Sequence, residues 1–120
     1  MTALLMPLSA FEMYADNENT AMKIPLSIKH NTDLGRSLNQ ESIVSYYQGM
    51  MSVIQTSVIT DLGVLEVMVV NCSSGEFWYD SFDSSEETQT ILQISGESGL
   101  YEITYTTESG DVYEGVFVIN

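Results

Sequence analysis

Two groups of side chains in this sequence have the types and spacing to do chemistry: clustered carboxylates and paired aromatics. The carboxylates gather in Asp80-Ser-Phe-Asp-Ser-Ser-Glu-Glu87 and again at Glu108, Asp111 and Glu114. Calcium takes six to eight oxygens from carboxylates and loop carbonyls, so Asp80, Asp83, Glu86 and Glu87 are its candidate ligands. The segment lacks the alternating Asp-x-Asp-x-Asp-Gly order of a helix-loop-helix calcium site. Two carboxylates held across a cleft could also serve glycoside hydrolysis, which is the basis of a hydrolase reading centred on Asp83. Acids on loops and strand exteriors are more often simply solvated. The aromatics are Tyr46-Tyr47 and Trp78-Tyr79. Adjacent residues of a strand point to opposite faces, so one of each pair leaves the core unless both faces are covered. An exposed ring can stack on a sugar or anchor a protein interface, which makes Trp78, Tyr79, Tyr46 and Tyr47 the candidate ligand-binding residues.

Nucleophilic catalysis has little to draw on. His30 is the only imidazole, it is expected in a loop running to Arg36, and no Gly-x-Ser-x-Gly elbow presents a serine. Cys72 is the only cysteine, which rules out an intramolecular disulfide and a zinc site built of thiolates. The expectation is a non-enzymatic protein for which calcium is the one cofactor to consider.

Charge narrows the partners. The formal net charge is -14, with Lys23, Lys29 and Arg36 as the only fixed cations. Binding to nucleic acid rests on cations that displace phosphate counterions, so that partner is excluded, and anionic membrane surfaces are disfavoured for the same reason. No apolar run is long enough for a transmembrane helix. A glycan or an envelope protein remains as the partner class. The acidity would keep a strand-rich protein soluble and discourage edge-to-edge pairing.

The elements that must position these residues are strands. At 120 residues the chain can close one two-layer core. Ile24, Leu26 and Ile28 alternate with Pro25, Ser27 and Lys29, the pattern of an edge strand that tolerates the missing proline N–H. Between Ile43 and Ile59 the apolar spacing of Ile43, Tyr46, Met50, Ile54 and Val58 suits a helix. The β-branched Val44, Val53, Ile54, Thr56, Val58 and Ile59, with Gly49 between, favour two strands turning at Gln48-Gly49. Leu65, Val67 and Val69 define an apolar strand after Asp61-Leu-Gly63, and Ser73-Ser-Gly-Glu76 turns into Phe77 to Phe82. Thr90 to Ser95 is a further strand. Tyr101, Ile103 and Tyr105 then alternate with Glu102, Thr104 and Thr106 before the turn at Glu108-Ser-Gly-Asp111. In the last strand both faces carry apolar groups, Tyr113, Phe117 and Ile119 on one and Val116 and Val118 on the other, which predicts partial cover on its outer side. Seven to eight short strands between turn signals, with a Tyr after Gly99-Leu100 placed like a tyrosine corner, predict an all-β, immunoglobulin-like two-sheet antiparallel sandwich.

The order of these parts, Asp61-Leu-Gly-Val-Leu-Glu-Val, then Ser73-Ser-Gly-Glu, then Ser98-Gly-Leu-Tyr-Glu-Ile and the closing Gly110-Asp-Val-Tyr-Glu-Gly-Val-Phe, resembles a family. It is the domain of unknown function formed by small secreted immunoglobulin-like sandwich proteins of gut Bacteroidetes. The resemblance spans residues 24–120 and implies export to the periplasm, cell surface or medium, with no established activity and no catalytic residues to carry over.

Residues 1–15 fit that implication in part. Ala3-Leu-Leu-Met-Pro-Leu-Ser-Ala10 is apolar and small, like the remnant of a signal peptide with cleavage after Ala10 or Ala15, although no basic residue precedes it. A start codon assigned too far downstream would account for that. The alternative is a frayed tail. Residues 16–23 would form a polar leader and 24–120 the sandwich.

Overall fold

The computed structural model describes residues 21–30 and 41–120. The expected signal remnant at 1–15, its cleavage sites and the loop at 31–36 lie outside the described residues.

Nine strands follow in chain order: β1 Ala21–Ile24, β2 Leu26–His30, β3 Ile43–Gln48, β4 Val53–Val58, β5 Val64–Asn71, β6 Phe77–Asp83, β7 Gln89–Gln93, β8 Gly99–Thr106 and β9 Val112–Ile119. They form two antiparallel sheets, one of order β1-β3-β4-β7 and one of order β2-β9-β8-β5-β6. The count exceeds the seven to eight expected because the first strand is really two. Pro25 has no N–H to give a ladder, and there the chain leaves one sheet for the other. Ile24 pairs with Ser45 in the four-stranded sheet, and Leu26 pairs with Gly115 in the five-stranded sheet. Both halves are edge strands, as the proline requires. Among the described residues the first strand starts at Ala21, and His30 ends β2 after a register shift rather than lying in a loop.

Residues 43–59 are two strands, and β-branching prevails over the helical spacing. β3 and β4 pair from Ile43 with Val58 to Gln48 with Val53, around a turn at 49–52 in which Ser52 takes a left-handed φ of 57°. The turn is locked from the next strand: the Gln93 side-chain amide donates to the carbonyls of Met51 and Ser52 at 2.9 and 3.1 Å.

Alternation builds the core. Leu65, Val67 and Val69 of β5, Tyr101, Ile103 and Tyr105 of β8, and Tyr113 and Phe117 of β9 are buried against Ile24, Ile43, Tyr47, Ile54 and Val58 of the other sheet. Removing these side chains from water is the main force holding the two layers together. Two features fix how the layers sit. The Tyr105 hydroxyl crosses between sheets to the Ser45 hydroxyl at 2.8 Å and the Thr56 hydroxyl at 2.7 Å, satisfying three buried polar groups at once. Tyr101 donates its hydroxyl to the Glu97 carbonyl at 2.6 Å, the tyrosine corner expected of this residue.

Gly115 lies close against the link between β1 and β2. A Cβ there would lie 2.7 Å from the Pro25 carbonyl oxygen and under 3 Å from atoms of Leu26 and Ile24. The strand switch at Pro25 is thus laid directly over a glycine of β9. On the opposite side of β9, Val116 and Val118 are exposed, so the partial cover expected there is absent among the described residues.

Candidate functional site

The four candidate aromatics divide between the interior and two separate surfaces. Tyr47 is buried and stacks on Phe117, with ring centroids 5.6 Å apart; Phe117 stacks on Tyr101 at 5.0 Å, and Tyr101 on Trp78 at 6.2 Å. Trp78 is half-buried and packs against the core. It and Tyr47 end a stack of four rings that fills one part of the interior. The pleat then sends Tyr46 and Tyr79 outward on opposite faces of the sandwich. Tyr46 is half-buried and Tyr79 exposed. One ring of each pair thus leaves the core, as strand alternation requires, and no single ligand can lie on all four.

Of the candidate calcium ligands, Asp80 and Asp83 are hydrogen-bonded locally, and Asp80 and Glu87 line one groove. Asp83 is engaged within its own turn: its Oδ1 accepts from the Ser85 hydroxyl at 2.7 Å and the Ser85 N–H at 3.0 Å. Those two bonds, the hydroxyl first, hold its carboxyl below the usual carboxylate range. Its carbonyl accepts from the N–H groups of Glu86 and Glu87 at 3.0 and 2.9 Å. The Asp80 carboxylate accepts from the Ser81 N–H at 2.9 Å. Among the described residues no group of three or more His, Cys, Asp or Glu side chains is gathered to hold a metal ion. Cys72 is exposed in the turn after β5.

What the structure gathers instead is an apolar surface on the outer face of the five-stranded sheet. Register places Phe77 beside Val70, with Glu102 and Val116 continuing the row. Tyr79 beside Met68 forms the next row, and Leu100 pairs with Val118 at the end. Phe77 is 64% exposed, Tyr79 51% and Val116 53%. The sequence reading treats Phe77, Met68 and Leu100 as ordinary strand residues and expects partial cover over Val116 and Val118. Their signal was available: apolar side chains at the positions alternate to those that must face inward.

A second feature lies at the open side of the sandwich. β6 and β7 are the edge strands there, joined by residues 84–88, and a groove of about 550 Å³ is lined by Asp80, Ser81 and Phe82 on one side and Glu87, Gln89, Thr90 and Ile91 on the other, with Gln55. The joining segment is tied down by Ser84, whose N–H and hydroxyl both donate to the Gly63 carbonyl at 2.8 Å.

No family model matches the chain, and no curated protein matches it. Its fold is shared with the crystal structure of a DUF3244 family protein with an immunoglobulin-like β-sandwich fold from Bacteroides vulgatus. The two superpose with a TM-score of 0.63 at 10% sequence identity, over 83% of this chain and 99% of that one. A likeness at that identity is one of fold, and the fold is the one the strand and turn motifs resemble. No helix among the described residues is long and apolar enough to cross a membrane.

Proposed function

We propose that this protein is an exported, non-catalytic binding module of the cell envelope that holds a protein partner on the outer face of its five-stranded sheet. The observation that carries the reading is the exposed row formed by Phe77, Tyr79, Met68, Leu100, Val116 and Val118. An apolar patch rimmed by polar groups is what a protein interface uses, with aromatic anchors contributing most of the energy. Its composition favours protein over sugar, because four of these six side chains are aliphatic or thioether and offer no ring for a pyranose to stack on. Glu66, Glu102 and Glu114 lie on the same face and would select a partner with basic groups around its own apolar centre. Export is supported by the apolar residues 3–10 and by the kind of family the sequence resembles.

The test is capture of envelope proteins on the immobilised chain, with Phe77→Ser and Val116→Ser as paired variants. Loss of a specific envelope partner by both variants supports the reading; capture unaffected by either refutes this face as the site. Cell fractionation with intact-mass analysis tests export, since a chain cleaved near Phe11 or Asp16 in an envelope fraction is expected and an uncleaved cytosolic chain would end that part.

A carbohydrate-binding role rests on one specific observation: Tyr79 and Phe77 are exposed rings two positions apart on one face. In that reading Tyr79, not the half-buried Trp78, is the ring that stacks on the sugar. Saturable binding on a glycan array that Tyr79→Ala abolishes would favour it over the protein-partner reading.

A further inference from the structure

We infer that the groove between β6 and β7 is a second binding site, which takes an extended segment of a basic partner as an added strand. The two sides of the sandwich are built differently. On one side the chain passes directly from β1 to β2 through Pro25, and those edge strands carry Lys23 and Lys29. Proline and lysine on an edge are devices that block strand addition. On the other side, β6 reads Phe-Trp-Tyr-Asp-Ser-Phe-Asp and β7 reads Gln-Thr-Ile-Leu-Gln, with no proline or lysine in either. Among the described residues β6 pairs only with β5 and β7 only with β4, so each presents there an unpaired row of backbone donors and acceptors.

The occupant follows from charge. Asp80 lies on the same side of β6 as Trp78 and Phe82, half-buried, and lines the groove together with Glu87. A second copy meeting this one through its own β6 or β7 edge would bring acid to acid, because neither strand carries Lys or Arg. An apolar strand would cover the Asp80 carboxylate with only the Ser81 N–H to answer its charge. A strand bearing Lys or Arg at the alternate positions meets both acids while its backbone pairs with an edge. The described cations, Lys23 and Lys29, sit at the far edges and are already engaged by Glu41 and Glu114 at 3.0 and 3.5 Å. Phe82 and Ile91 supply apolar contact for the intervening residues of the segment. This is strand addition, in which main-chain bonds give affinity and side-chain pockets give selectivity. The site is separate from the outer face of the five-stranded sheet and stands or falls independently of it.

The experiment is a backbone-amide NMR titration of the intact chain with the capped peptide Thr-Val-Lys-Val-Lys-Val-Thr. Two controls accompany it: the same peptide with Glu in place of Lys, and a peptide of equal charge whose Val residues are replaced by Pro. Shifts and slowed hydrogen exchange confined to β6 and β7 are expected with the first peptide only, and Asp80→Asn together with Glu87→Gln should weaken binding about tenfold. Equal response to the Pro peptide would reduce the effect to general attraction by an acidic protein and overturn the proposal. So would shifts confined to the outer face of the five-stranded sheet, or affinity indifferent to the two substitutions.

Discussion

Tyr105 joins the two sheets through a single oxygen. Its hydroxyl is buried between Ser45 and Thr56, so deleting it strands two hydroxyls in the interior, and an unsatisfied buried group costs more than an ordinary hydrogen bond contributes. Tyr105→Phe is expected to destabilise the fold by about 2 kcal/mol, read from urea unfolding. Tyr101→Phe should cost about 1 kcal/mol, since it leaves only the Glu97 carbonyl of an irregular segment without its donor. If the two costs came out reversed, the corner rather than the cross-sheet contact would be the stronger clamp. Tyr105 also carries a pH signature. Burial raises its pKa above the ordinary tyrosine value of 10.0, against the opposing effect of its two hydrogen bonds. A group whose pKa is higher in the folded state binds its proton more tightly there, so its contribution is complete below the unfolded pKa and is lost as pH rises towards the folded one. Unfolding free energy should therefore fall above about pH 10, and by one proton's worth less in Tyr105→Phe. An identical alkaline slope in both proteins would remove Tyr105 from the explanation.

At the scale of elements, the crossing of Pro25 over Gly115 decides how the first two strands join different sheets. The atom nearest a Cβ at Gly115 is a backbone carbonyl oxygen, which cannot rotate away as a side chain would. Gly115→Ala is expected to cost about 1–3 kcal/mol by overpacking, and a larger residue should detach β1 or β2, seen as faster amide exchange along those strands. Most of the strands could be read in advance because period-two alternation survives wherever one face meets the core, as in Tyr101-Glu-Ile-Thr-Tyr105. The split at Pro25 could not, because alternation runs unbroken through Ile24, Leu26 and Ile28 while the pairing partner changes from β3 to β9. The site was less legible than the fold. A Trp-Tyr pair says that one ring faces out but not which, and here the phase set by Phe82 turns Trp78 inward and leaves Phe77 and Tyr79 outside. The edge groove was hidden for a different reason: it is made by two strands meeting across sheets, a relation that no local pattern records.

The whole molecule carries a charge of -14 on a surface with two cations among the described residues. The ion pairs among the described residues, Lys23 with Glu41 and Lys29 with Glu114, are exposed and of the kind that contributes little. Repulsion among the acids is therefore the dominant long-range term, and it acts against the compact state because unfolding moves like charges apart. Added salt screens interactions beyond a Debye length of about 10 Å at 0.1 M, which weakens the many distant repulsions more than the two contact pairs. The melting temperature should rise as sodium chloride is increased from a low-salt buffer through the physiological range, and 1 kcal/mol relieved corresponds to roughly 5 °C in a domain of this size. The same salt should weaken a basic strand in the groove beside Asp80 and Glu87, since its selectivity is electrostatic. Stability and that binding are thus predicted to move in opposite directions with ionic strength, which a thermal scan and a peptide titration across one salt series will check. A melting temperature that falls with salt would mean that local attractions outweigh the net charge, and the acid-driven choice of a basic partner would lose its physical basis.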